Sequence, residues 1–261
     1  MTEFKGLADI DYLKKTGKIL ASLKQISYKK MQIKQGDIVL DLGCGPGIDA
    51  IELGGLVSPN GSAIGVDYDE AMLKQASAQV KEIEMQHIVH FQQEDASALS
   101  FNDNHFDSCR SERLFMHLNN PEQVVAEMFR VTKPGGHVVV IEPDWASMSV
   151  ACESPEIERL LLNYRLEKFF PNGYSGRNLY RLFNEAHFTD IQVEAFVNPS
   201  TDLAFFYAIG VQEALENKAL ADNVITPEAL AQWRTELQQA AHNNSFYSSA
   251  SIVMVHGVKP L

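Results

Sequence analysis

Val39–Ala50 reads VLDLGCGPGIDA: an apolar run containing Asp41, glycines at the alternate positions 43, 45 and 47, then the start of a helix. Glycine loses more chain entropy on folding than any other residue, so such a run persists where the backbone must turn sharply or be closely approached. A strand that enters this turn and leaves as a helix offers main-chain N–H groups and a positive helix end to a ligand. A tight turn without a ligand explains one glycine more readily than three glycines and an acid. A dinucleotide fingerprint, Gly-x-Gly-x-x-Gly, needs glycine where Ile48 stands, which weakens the nicotinamide alternative.

Outward from this turn, strand and helix patterns alternate. DIVLDLG, SAIGVD, HIVHFQQ, FDSCRSE and HVVVIEP read as strands; IDAIELGGLV, EAMLKQASAQVKEI and PEQVVAEMFRVT read as the helices between them. Short connections in such a series imply parallel strands joined by crossover helices, an α/β doubly wound sheet. Upstream, apolar spacing over residues 8–30 predicts a helix. Three further helix starts are marked by Asn120-Pro121, Ser154-Pro155 and Thr226-Pro227, each a capping residue before a proline at the first helical position. After Pro143 an inserted helix, SPEIERLLLNYRLEKFF, precedes GRNLYRLFNEAHF and the strand DIQVEAFV. Residues 201–241 read as two helices, and SASIVMVHGVKP closes the chain as a strand.

With 261 residues, a net charge of −12 and no basic cluster, the chain is poorly matched to nucleic acid and better matched to a neutral or cationic small ligand. No apolar run has signal-peptide or membrane-spanning character, so the expectation is a cytoplasmic protein without membrane insertion. Whether it forms a homo-oligomer stays open. Cys44, Cys109 and Cys152 are too scattered for a disulfide framework or a metal site, and they read as small buried hydrophobes.

The turn DLGCGPG resembles motif I of the class I S-adenosylmethionine-dependent methyltransferases, in the small-molecule group that includes the ubiquinone/menaquinone methyltransferases. The resemblance continues, in the family's order, through VDYDEAML, QEDASALSF, FDSCRSERLFMHL and EMFRVTKPGGHVVVIEP, strongly over residues 36–143 and more weakly over 176–197. It implies a seven-stranded Rossmann-like sheet with an antiparallel last strand and S-adenosylmethionine as cofactor. It also implies a cofactor site built from Asp41, Gly43, Cys44 and Gly45, from Asp67 on the ribose diol with Tyr68 beside the adenine, and from Asp95 and Ala96 at the adenine edge. Arg110 and Ser111 would line the same cavity; arginine departs from the small or apolar residue usual in the family, and its role is open.

On this resemblance residues 1–35 form an N-terminal helical segment and 36–143 the cofactor-binding core, which continues at 176–198 and ends with the strand at 248–261. Residues 144–175 and 199–247 are helical insertions expected to cap the carboxyl edge of the sheet, where ligands bind. Their many aromatic residues imply an apolar pocket for a small, planar or apolar acceptor. In-line methyl transfer needs alignment more than acid–base help. The catalytic candidates His117, Glu142 and Asp144 therefore stand against packing or capping roles. A nicotinamide-dependent oxidoreductase and a non-catalytic S-adenosylmethionine-binding protein are the rival readings.

Overall fold

The computed structural model describes residues 21–261; the part of the expected N-terminal helix before Ala21 lies outside the described residues, and Ala21–Lys30 is helical (α1). The elements that follow are β1 (Ile38–Leu42), α2 (Ile48–Val57), β2 (Ser62–Asp67), α3 (Glu70–Glu82), β3 (Val89–Gln93), β4 (Phe106–Glu112), α4 (Pro121–Val131) and β5 (Thr132–Val150). The second half comprises α5 (Pro155–Tyr164), α6 (Ser175–Glu185), β6 (Thr189–Ser200), α7 (Leu203–Ile209), α8 (Gln212–Ala221), α9 (Pro227–His242) and β7 (Ser248–Val258).

These strands form one seven-stranded sheet in the order β3-β2-β1-β4-β5-β7-β6. The ladders from β3 to β5 are parallel, and β7 runs antiparallel to both β5 and β6. The period-2 alternation of strands divides the core. On one face Val138, Val140, Val253 and Val255 pack with Val124 and Met128 of α4 and Leu179 and Phe183 of α6. On the other, Val139, Ile141, Ile252 and Met254 join Leu23 of α1 and Leu53 of α2. Burial on both faces is why VVVI, residues 138–141, is continuously apolar instead of alternating.

The three prolines do open helices, but the caps differ from expectation. Thr226 accepts from the Ala229 N–H at 3.2 Å, whereas Asn120 makes no side-chain cap and Ser154 turns its hydroxyl to Glu236 at 2.6 Å. KPGG bulges out of the ladder, since Thr132 pairs with Phe106 and His137 with Ser108.

Two corrections concern the insertions. The stretch after Pro143 remains strand as far as Val150, while the inserted helix begins at Pro155, where Ser154-Pro155 places it. The β5–β7 register breaks between Asp144 and Ser149, and the Ser147 hydroxyl fills the break. It accepts from the Ser251 N–H at 2.7 Å and donates to the Asp144 carbonyl at 2.6 Å. Residues 201–241 hold three helices, not two, because Gly210 ends α7 and Val211 takes a left-handed φ of 48° before α8. Together with a π turn at Arg165–Phe169, α5 and α7–α9 close around their own apolar cluster, which includes Trp145, Phe206, Trp233 and Phe246.

Candidate functional site

At the carboxyl end of β1 the chain turns through Gly43, Gly45 and Gly47 with φ values of 75°, 51° and 80°. The Gly43 and Cys44 N–H groups both reach the Val66 carbonyl, at 2.8 and 2.9 Å, which pins the turn to β2. Gly47 has a second constraint: a Cβ there would lie 2.5 Å from the Phe91 ring and 2.8 Å from Ala76. Gly47 opens α2 without any side-chain cap, so the first-turn donors of that helix are not bonded by a capping side chain. The Cys44 thiol is buried, and burial, reinforced by nearby carboxylates, raises its pKa well above the usual thiol range.

Asp67, at the end of β2, braces the same turn. One carboxylate oxygen accepts from the Gly45 N–H at 2.8 Å and the other from the Asp69 N–H at 2.9 Å. Burial pushes its pKa up against those two bonds. Tyr68 is 54% exposed, which excludes a core role for its ring. Asp95 is exposed beyond β3 and accepts from the Ser97 hydroxyl at 2.7 Å and the Ser97 N–H at 2.9 Å, bonds that lower its pKa; Ala96 beside it is half-buried.

Arg110 is placed otherwise than expected. It is fully buried and meets Glu112 at 2.6 Å, Asp49 at 3.1 Å and Asp41 at 3.5 Å, with Tyr28 stacked beneath its guanidinium. Lys24 adds a second cation, 2.5 Å from Asp49 and 3.5 Å from Glu112, and the Tyr28 hydroxyl donates to Asp49. Arg110 is thus held, fully buried, inside an ion cluster under the turn. Burial drives the Asp41 pKa up; for Asp49 the same penalty is outweighed by Arg110 and then Lys24, which hold it well below the carboxylate range. Lys24, Tyr28 and Asp49 were not singled out in the sequence. Asp49, two residues after the last glycine, carried the nearest available signal. Asp41 Oδ2 and Ser111 Oγ are buried with no hydrogen-bond partner among the described residues, and they belong to adjacent strands at the carboxyl edge.

Beyond β4 and β5 lies an open cleft holding about 680 Å³ of space, the solvent at its mouth included. Its walls include Met116, Trp145, Met148, Phe205, Phe206 and Ile252, with Arg113, Asn198, Ser248 and Ser249 as polar members. The β5 bulge supplies Trp145 and Met148, and α7 supplies the two phenylalanines. The other insertion aromatics either pack within the cap, as Phe169, Phe170, Trp233 and Phe246 do, or are exposed, as Tyr174 and Tyr247 are.

None of the three catalytic candidates is among the residues lining this cavity. Fully buried Glu142 accepts from the Phe115 N–H at 2.7 Å, the Met116 N–H at 3.2 Å and the Ser175 hydroxyl at 3.1 Å. It anchors the 3₁₀ turn Phe115–His117 to α6, and burial raises its pKa to about 7. Asp144 is clamped by Arg177 at 2.9 and 3.0 Å. His117 lies edge-on to Phe170, and burial, with the charge of Arg113, lowers its pKa to about 4, leaving a neutral ring at physiological pH.

The family model described as a methyltransferase domain matches residues 33–187. A demethylmenaquinone methyltransferase of Halalkalibacterium halodurans is 28% identical over 73% of this chain and 82% of its own length. One of Staphylococcus carnosus is 39% identical over 47% of this chain and 49% of its own. The chain spans about half the length of several curated relatives it matches. The crystal structure of the YcgJ protein from Bacillus subtilis shares the fold, with a TM-score of 0.66 at 22% identity over 91% of this chain and 98% of that one. The sheet order, the glycine turn and the family match over residues 33–187 agree: the chain belongs to the methyltransferase-domain family, of the class I S-adenosylmethionine-dependent type.

Proposed function

We propose that this protein transfers a methyl group from S-adenosylmethionine to a small apolar or aromatic metabolite seated beneath the helical cap. The single observation that carries the reading is the juxtaposition of two features at one sheet edge: the glycine turn braced by Asp67, and the largely apolar cleft beyond β4 and β5. The chain's own groups suit the cofactor. The unpartnered Asp41 Oδ2 and Ser111 Oγ are polar atoms buried at that edge, and the positive-φ glycines bare the backbone. Asp67 would hold the ribose diol, Tyr68 and Asp95 with Ala96 would flank the adenine, and Asp41, Gly43, Cys44 and Gly45 would lie along the methionine end. When bound, S-adenosylmethionine supplies a methyl group on a positively charged sulfur, open to in-line attack.

The protein's part is then to align the acceptor and exclude water. Trp145, Phe205 and Phe206 shape an apolar chamber for a small acceptor and leave little room for a polymer. Glu142 and Asp144 serve as positioning residues through the 3₁₀ turn and Arg177. We place the protein in the cytoplasm; among the described residues no helix is long and apolar enough to cross a membrane.

Isothermal titration with S-adenosylmethionine, followed by transfer of labelled methyl from it to fractionated metabolites, tests the reading. Saturable binding that weakens at least tenfold in Asp67→Ala is expected, since the lost bonds are charge-assisted. No uptake by the folded protein at millimolar cofactor, or unchanged affinity in the variant, refutes it. Uptake of a dinucleotide instead favours the oxidoreductase reading, and binding without label transfer favours the non-catalytic one.

A further inference from the structure

Two walls of the chamber come from distant parts of the chain: Trp145 and Met148 from the β5 bulge, and Phe205, Phe206 and Ile209 from α7. Trp145 is the fixed wall, its indole N–H reaching the Met116 sulfur at 3.4 Å and its ring stacked on Phe170 at 5.8 Å. The α7 wall is held less firmly. All of its residues, LAFFYAI, are apolar or aromatic, yet Phe206 alone among them is buried. Its C-terminal end runs into Val211, whose φ of 48° and ψ of 39° are left-handed, a conformation especially costly for a β-branched residue. Such strain persists only where the surroundings enforce it.

Arg165 supplies that enforcement. From the π turn its buried guanidinium donates to the Gly210 carbonyl and to Gln212 Oε1, both at 2.6 Å, so it grips the residue on either side of Val211. The same guanidinium lies over the Trp145 ring at 4.8 Å. A planar fork of charged donors fixes direction as well as distance, and a cation over an indole adds attraction where water is excluded. Gln212 in turn donates to Glu216 at 3.1 Å, and Glu216 also accepts from Trp233 Nε1 at 2.9 Å and the Tyr207 hydroxyl at 3.1 Å. The parts converge at Gly210, where a Cβ would lie 3.1 Å from the Phe206 carbonyl oxygen, 3.4 Å from Arg165 Nη2 and 3.6 Å from Met148 Cε. One side chain thus ties the fixed wall to the end of the weakly buried one.

We propose that Arg165 is the positioning residue that sets the width of the chamber: it enforces the corner at Val211, the corner aims α7, and α7 sets how far Phe205 and Phe206 stand from Trp145. The consequence is a preference for compact aromatic acceptors over bulkier ones of like polarity. Without the guanidinium, Val211 relaxes toward helix, α7 runs on into α8, and the two phenylalanines swing off the wall. The word acceptor rests on the methyltransferase reading; the preference for compact ligands does not.

Ligand-observed NMR competition on the full chain, with neutral phenols graded in bulk (2-naphthol, 4-phenylphenol and 4-(1-adamantyl)phenol), measures that preference as a ratio of affinities. The wild type is expected to bind its best compact phenol tenfold or more tightly than the adamantyl compound. Arg165→Met should cut the ratio to about threefold or less, and Arg165→Lys should keep an intermediate value. Val211→Gly added to Arg165→Met should restore most of it, because glycine holds a left-handed corner unaided. That rescue separates aim from stability, since a second substitution in a merely damaged cap would not bring selectivity back. Phe205→Ala should weaken every probe, which identifies the chamber as their site, and S-adenosylmethionine affinity should stay within about twofold throughout. Should Arg165→Met not fold, Arg165→Lys with and without Val211→Gly carries the same comparison. The proposal is overturned if the wild type does not discriminate, if Arg165→Met keeps the ratio, if glycine fails to restore it, if Phe205→Ala leaves the probes unaffected, or if S-adenosylmethionine affinity falls along with the ratio. Failure of the wild type to bind S-adenosylmethionine, with the ratio intact, sinks the methyltransferase reading alone.

Discussion

Arg110→Met tests whether the ion cluster under the glycine turn is a structural unit. The guanidinium is wholly buried and shared by Asp41, Asp49 and Glu112, and methionine keeps most of its volume while removing the charge. Removing one partner of a buried ion pair strands the other and costs about 3–5 kcal/mol. At about 2–4 °C per kcal/mol for a chain of this size, the melting temperature should fall by roughly 6–20 °C at pH 7.5. The pH dependence adds a second signature. In the wild type Arg110 holds Asp49 below its unfolded value, so that stabilisation is present above the ordinary carboxylate range and fades only in strong acid. In the variant the stranded carboxyls rise and take up protons as pH drops from 7.5 to 5, so the deficit should narrow. Thermal melts followed by circular dichroism at both values measure it. A loss under 2 °C at pH 7.5, or a deficit that does not shrink in acid, refutes the assignment. If Arg110→Met does not fold, Arg110→Lys, which keeps charge but loses the planar fork, should show a smaller deficit of the same kind.

Gly47→Ala should lower both stability and S-adenosylmethionine affinity, because the new methyl would sit 2.5 Å from the Phe91 ring in a left-handed backbone; trimming Phe91 to leucine in the same chain should recover part of the melting temperature. Glu142 has a folded pKa raised to about 7, so its stabilising contribution is full below its unfolded value near 4.5 and is lost as pH rises through 7. Glu142→Gln should therefore flatten the decline in melting temperature between pH 5 and 8, and an unchanged profile would remove Glu142 as its source.

Much of the sheet was legible because parallel strands buried on both faces are written as unbroken apolar runs, and glycine and proline mark their ends. SAIGVD and IDAIELGGLV coincide with β2 and α2 residue for residue. What escaped is long-range or geometric. Tyr28 and Asp49 meet Arg110 from α1 and α2 while Lys24 shares its carboxylates, and no local spacing announces a contact such as that of Lys24 with Glu112, 88 positions further on. The β5 extension was missed because DWASMS, with its polar and small residues, looks like a loop until β7 arrives to pair with it. The break between α7 and α8 hinges on Val211 in a conformation that β-branched residues seldom take, so propensity argued for helix there.

The extension of β5 brings the roots of both insertions together. Val150 and Ser200 are both opposite Ser248, so one insertion departs, and the other both departs and returns, within a single rung of the ladder. Grafting is then geometrically simple: a foreign cassette spliced at those rungs would meet fixed attachment points while the turn at Gly43–Gly47 keeps its ties to β2. On the proposed function, acceptor preference can then change, by descent or by engineering, while the turn assigned to the cofactor is left as it is.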